Sequence, residues 1–190
     1  MKFIFILLVF SFLHLFSEST KDVLFYHSLT SKDLIEKNKK LTGLKEVIDY
    51  HIKDAKNGFI RYSIKGVEGF SEYTIWKKKD TRIIAAEINY SCGPACVISG
   101  IHFYEIQKEK FSDITEKTYP KSKIEILYKK KLDQIQARGA SGNETLWISL
   151  PRKGLDIQVG INQDPTNPDE KLIPVAILKW NENDFILKAN

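Results

Sequence analysis

Hydrophobic and polar residues alternate with a period of two through most of the chain after Phe59. Ile60, Tyr62 and Ile64 point one way, and Arg61, Ser63 and Lys65 the other, which is the signature of a half-buried strand. Gly66 to Gly69 reads as a turn, Phe70 to Trp76 as a second strand and Lys77 to Thr81 as a polar turn. Arg82 to Tyr90 is a third strand, with Ile84, Ala86 and Ile88 on one face. Ile98 to Ile106 is a fourth, and Phe111 to Thr115 a fifth after the turn Gln107 to Lys110. Further on, Glu144 to Leu150 and Leu155 to Ile161 flank the turn Pro151 to Gly154. Ile173 to Trp180 and Phe185 to Lys188 form a last hairpin. Strands this close in sequence pair antiparallel.

Two stretches carry the helical period instead. Over Thr42 to Ala55, Leu44, Val47, Ile48 and Ile52 fall on one face, with Thr42 as N-cap and Asn57-Gly58 as the stop. Over Ser122 to Ala137, Ile124, Leu127, Leu132 and Ile135 do the same, and Ser122 with Glu125 fits a capping box. A rival strand over Ile124 to Tyr128 also alternates. Before these, Lys21 to Tyr26 reads as a short extended stretch, and Ser31 caps a short helix to about Lys37.

The order is helix and strands, then helix and strands, divided near Pro120. The expected class is α+β: two halves, each a helix with an antiparallel meander, the helices packed on one face of the sheet or sheets. The halves run 20–120 and 121–190. Residues 1–19 stand apart. Lys2 is followed by an apolar run from Phe3 to Phe16, then by small residues at Ser17 and Ser19. This reads as a secretory signal peptide cut after Ser19, because the run is shorter than the ~20 residues that a spanning helix needs. The expected location is the periplasm or the cell exterior, with no transmembrane span in the mature chain.

Export permits a disulfide, and Cys92 and Cys96 are the only cysteines among the 190 residues. Gly93 and Pro94 bend the chain between them, so a bridge is expected there. Redox catalysis usually needs two intervening residues at a helix start, and that setting is missing. Serine-nucleophile elbows and phosphate-binding glycine loops are absent, histidines are few, and no spacing singles out a pair of carboxylates. Asp164, Asn167, Asp169 and Glu170 fit no standard calcium loop. No metal or other cofactor is expected. The net charge of +5, with lysines clustered at 37–40, 77–79 and 129–131, suits an acidic protein or an envelope polysaccharide. No nucleic-acid motif accompanies it. Trp76, Tyr104, Trp147 and Trp180 lie on or at the ends of strands and are candidate binding residues. At least one tryptophan is expected exposed beside Tyr104.

The stretches Trp76 to Asp80, Cys92 to Cys96, Phe103-Tyr104-Glu105, Leu150 to Gly154 and Leu178 to Trp180 resemble a group of uncharacterised exported bacterial proteins. That resemblance covers roughly Gly58 onward and implies no activity. The tandem helix-and-sheet order also resembles, in architecture alone, the β-lactamase inhibitor protein. No binding residue transfers from such a likeness. The function expected is an exported, non-enzymatic binding or inhibitor-like protein. The alternatives are a periplasmic hydrolase with an acidic pair and a structural protein of the cell envelope.

Overall fold

The computed structural model describes residues 21–139 and 142–190. The expected signal peptide lies outside them. The fold is α+β with two antiparallel sheets. Helices α1 (Val23–Thr30) and α2 (Lys32–Thr42) lead into a six-stranded meander. Its strands are β1 (Ile48–Asp54), β2 (Phe59–Ile64), β3 (Phe70–Lys77), β4 (Ile83–Cys92), β5 (Cys96–Gln107) and β6 (Lys110–Asp113), paired in chain order. Short α3 (Thr115–Thr118) and long α4 (Lys121–Gln136) follow. A second meander pairs β7 (Thr145–Ser149), β8 (Ile157–Asn162), β9 (Ile173–Trp180) and β10 (Phe185–Ala189).

The six-stranded sheet carries a buried core on each face. Phe59, Trp76, Ile84, Ala86, Ile88 and Phe103 join Ile148, Val159, Ile161 and Leu178 of the second sheet in one core. Ile60, Tyr62, Tyr73 and Ala85 form a separate cluster with Val23 of α1. Ile124 of α4 is buried in the first core, and Leu127, Leu132 and Ile135 pack against it. Helices α1 and α4 therefore pack into different cores and do not share one sheet surface, contrary to the sequence expectation. Polar ties also cross between the sheets. Trp76 Nε1 donates to Leu155 O over 2.8 Å, Tyr90 Oη donates to Ile148 O, and Cys96 N donates to Pro165 O over 2.8 Å.

Three local readings change. The stretch from Thr42 to Ala55 is not a helix. Thr42 ends α2, because Gly43 takes the left-handed conformation at φ 70° and donates to Lys39 O, a common way to stop a helix. Ile48, Tyr50 and Ile52 then alternate with exposed Asp49, His51 and Lys53, so the strand period accommodates Tyr50 where the helical stripe left it aside. Lys21 to Tyr26 is not extended either. Asp22 caps α1, its Oδ1 accepting from Phe25 N at 3.0 Å. Finally, α4 starts after Pro120 with no side-chain cap. Ser122 lies inside the first turn, and the capping box does not form. The rival strand over Ile124 to Tyr128 is excluded, since α4 leaves Ile126 68% exposed while Ile124 is buried.

A bulge in β1 bears on the site below. Ile48 and Tyr50 pair with Ile64 and Tyr62, but the register shifts between Tyr50 and Ile52, which pairs with Arg61. Ile48 and Tyr50 thus pack in the cluster under α1, and Ile52 joins the core between the sheets. A bulge re-aims the side chains that follow it.

Candidate functional site

The sequence-predicted residues are dispersed. Trp76, Trp147 and Trp180 are buried in the core between the sheets. Trp76 and Trp180 meet there at 6.2 Å, and both contact Phe185. Their flanking polar turns also touch, through the ion pair Lys79–Glu182 at 2.7 Å. Trp147 stacks on Tyr90 at 4.5 Å. The expectation of an exposed tryptophan is corrected: burial between two sheets removes all three from the surface. Tyr104 is half-buried on the outer face. Cys92 and Cys96 face each other across the tip of the β4–β5 hairpin and are bridged, with Cα atoms 4.0 Å apart.

Tyr104 belongs to a ledge. Its ring lies 6.1 Å from His102 and 12° from parallel to it, and Phe111 meets it edge-on at 5.7 Å. His102 faces Glu87 across the strands. The Glu87 carboxyl is buried and accepts from Tyr62 Oη. Burial pushes its pKa up, the Tyr62 hydrogen bond and His102 opposing.

A concave feature opens where β1 and β2 meet the β7–β8 connection. It is a recess of about 520 Å³, a size typical of small-ligand sites. Ile52, Phe59, Leu150 and Pro151 line it, with Arg61, Glu72, Arg152, Lys153, Asp156 and Asp169 as its charged groups. Arg61 and Glu72 are cross-strand partners. Glu72 Oε1 accepts from Arg61 Nε at 3.2 Å and Nη2 at 2.8 Å. Its Oε2 accepts from Leu150 N at 3.2 Å. Burial pushes the Glu72 carboxyl above its ordinary range, and the Arg61 guanidinium pulls it back. On the outer edge, Arg61 Nη1 donates to Asp169 Oδ1 over 3.0 Å.

The β7–β8 connection is pinned at several points. Leu150 N is held by Glu72, Leu155 O by Trp76, and Asp156 Oδ1 by Trp180 N at 3.1 Å. Between these anchors Arg152 and Lys153 stand exposed at the rim. Arg152 Nε lies 3.3 Å from Asp54 Oδ2. Asp54 is held below its ordinary pKa by hydrogen bonds from Asn57 and then from Arg152. Among the described residues, no cluster of His, Cys, Asp and Glu is placed to hold a metal ion. Nor is any described helix long and apolar enough to cross a membrane.

The recess was not foreseen from the sequence, although one signal was present. Glu72 alternates with Phe70, Thr74 and Trp76, and so places a charge in the apolar register of β3. Comparison with known proteins adds no relative: no family model, curated protein or solved structure matches the chain.

Proposed function

We propose that this chain is an exported, non-enzymatic binding protein that seats a protein or an envelope polysaccharide in the recess between its sheets. One observation carries the reading. The buried carboxylate of the recess is held by two guanidinium N–H groups and a backbone N–H, while Arg152 and Lys153 are exposed on an anchored loop. Fixed partners of this kind favour recognition over proton transfer, because a general acid or base must reach its substrate. Preorganised charge lowers the ordering cost of binding. The acid-pair hydrolase is less favoured, since Glu72 is 3% exposed and fully engaged.

A second reading places the partner on the His102–Tyr104–Phe111 ledge, where Phe111 is 44% exposed. One experiment separates the two. Wild type, an Arg152→Glu/Lys153→Glu variant and a Tyr104→Ala/Phe111→Ala variant are immobilised, and envelope extract is passed over each. Retained protein and sugar are identified by mass spectrometry. Loss of retention in the arginine–lysine variant alone supports the recess. Loss in the aromatic variant alone transfers the role to the ledge, and equal retention by all three rejects both. Export is tested separately: the mature N-terminus is expected at Thr20, and a cytosolic chain still starting at Met1 rejects it.

A further inference from the structure

The geometry points to a carboxylate-bearing ligand for this recess, and we infer that Asp169 occupies the ligand's place. The inference rests on the recess being the binding site. Glu72 takes two N–H groups of the Arg61 guanidinium from the core side and so orients Nη1 outward. The group that meets Nη1 is the Asp169 carboxylate, at 3.0 Å. Asp169 is the unburied member of the pair, its side chain 71% exposed against 20% for Arg61. It sits on the connection between β8 and β9, and its backbone N–H is held by Asn167 Oδ1 at 3.1 Å.

A guanidinium already oriented by one carboxylate is a receptor for a second. Swinging Asp169 out costs little, because its own carboxylate is largely solvated and an ion pair with a solvated member is weak. An arriving carboxylate replaces it on Nη1 and also meets Arg152 and Lys153, which line the same recess. Ser149 and Gln158 there offer hydroxyl and amide groups to the remainder of the ligand. The recess volume of about 520 Å³ suits a free organic acid or one uronic acid unit of a polysaccharide better than a protein face. A stable protein interface needs roughly 800 Å² per partner.

The test uses the full mature chain, ¹⁵N-labelled and titrated with D-galacturonate, trigalacturonate and neutral D-galactose. The Arg61 side-chain Nε–H signal and the backbone signals of residues 152, 153 and 169 are followed. Both acids are expected to shift these signals, and galactose is not. Comparable affinity for the two acids identifies a free acid as sufficient, and tighter trigalacturonate binding identifies the polymer. Asp169→Asn is expected to tighten binding about two- to fivefold by removing the competitor. Arg152→Ala/Lys153→Ala is expected to weaken it about tenfold. Both variants alter exposed residues, so the fold is retained. Binding of galactose equal to galacturonate, no shift with either acid, or unchanged affinity in Asp169→Asn overturns the inference. If the extract experiment still shows recess-dependent retention, the binding reading survives that failure. If it shows none, the site itself is wrong.

Discussion

His27 is a case where a single buried residue sets a pH response. It is fully buried on the sheet-facing side of α1, with its ring 4.5 Å from Tyr62, 5.1 Å from Tyr73 and 5.9 Å from Tyr50. Its Nδ1 lies 3.2 Å from Tyr50 Oη. Burial lowers its pKa from 6.5 to about 4. The unfolded imidazole then takes a proton at a higher pH than the folded one. Stability is full above about pH 6.5 and falls as pH drops toward 4, by up to about 3 kcal/mol. The buried carboxyls of Glu72 and Glu87 act with the opposite sign. Their pKa values are raised by burial, so their contribution is greatest when protonated and is lost as pH rises. Urea unfolding of wild type and His27→Phe between pH 4 and 8 isolates the imidazole. The gap between the two curves is expected to change across that window, and parallel curves refute the account. At Gly69, φ is 112° and an added Cβ would lie 1.9 Å from Tyr90 O. Gly69→Ala is expected to cost more than about 2 kcal/mol. Gly66→Ala, at φ 84° with open space around it, is expected to cost about 1 kcal/mol. Thermal unfolding ranks the pair.

At the scale of elements, the Arg61–Glu72 pair joins β2 to β3 and, through Leu150 N, to the second sheet. Arg61→Met leaves a buried carboxylate without its counter-charge, and is expected to cost about 3–5 kcal/mol. Arg61→Met/Glu72→Met is expected to recover most of that loss in denaturant unfolding. An equally unstable double variant would show that the loss comes from packing rather than charge. Elements with one strong period were legible from the sequence: β2 through β5, the second meander and α4 all lie within a few residues of their expected spans. Where two periods overlapped the reading failed. Leu44, Val47, Ile48 and Ile52 satisfy a helix, but Ile48, Tyr50 and Ile52 satisfy a strand, and the stop at Gly43 decides between them. The recess was hidden for a different reason. It depends on the one-residue bulge at His51, which turns Ile52 to the other face, and on Asp169 reaching Arg61 across 108 positions of chain. Neither leaves a periodic trace. The tryptophans misled because an apolar strand residue has the same local pattern whether a second sheet covers it or not.

At the scale of the whole molecule, two sheets of six and four strands close over one another, and the disulfide joins two strands of a single hairpin rather than one sheet to the other. The loop it closes is small, with a sequence separation of 4. Reduction is therefore expected to lower stability by about 2 kcal/mol at most and to leave both sheets formed. Far-ultraviolet circular dichroism and denaturation with and without reductant test this. Loss of the β signal on reduction would show that the bridge holds more than the hairpin.

The pairing order carries a kinetic consequence. Every sheet neighbour is also a neighbour in sequence, so each strand meets its partner across a short loop, and little chain entropy is lost before pairing is rewarded. A growing chain can complete the six-stranded meander before residue 121 has appeared. What then waits for the remainder of the chain is one exposed apolar face, bearing Trp76, Ile84, Ala86, Ile88 and Phe103. That face is the part of the half-made molecule with most reason to stick to something else, and the last strands to arrive, β9 and β10, bring Trp180 and Phe185 to cover it.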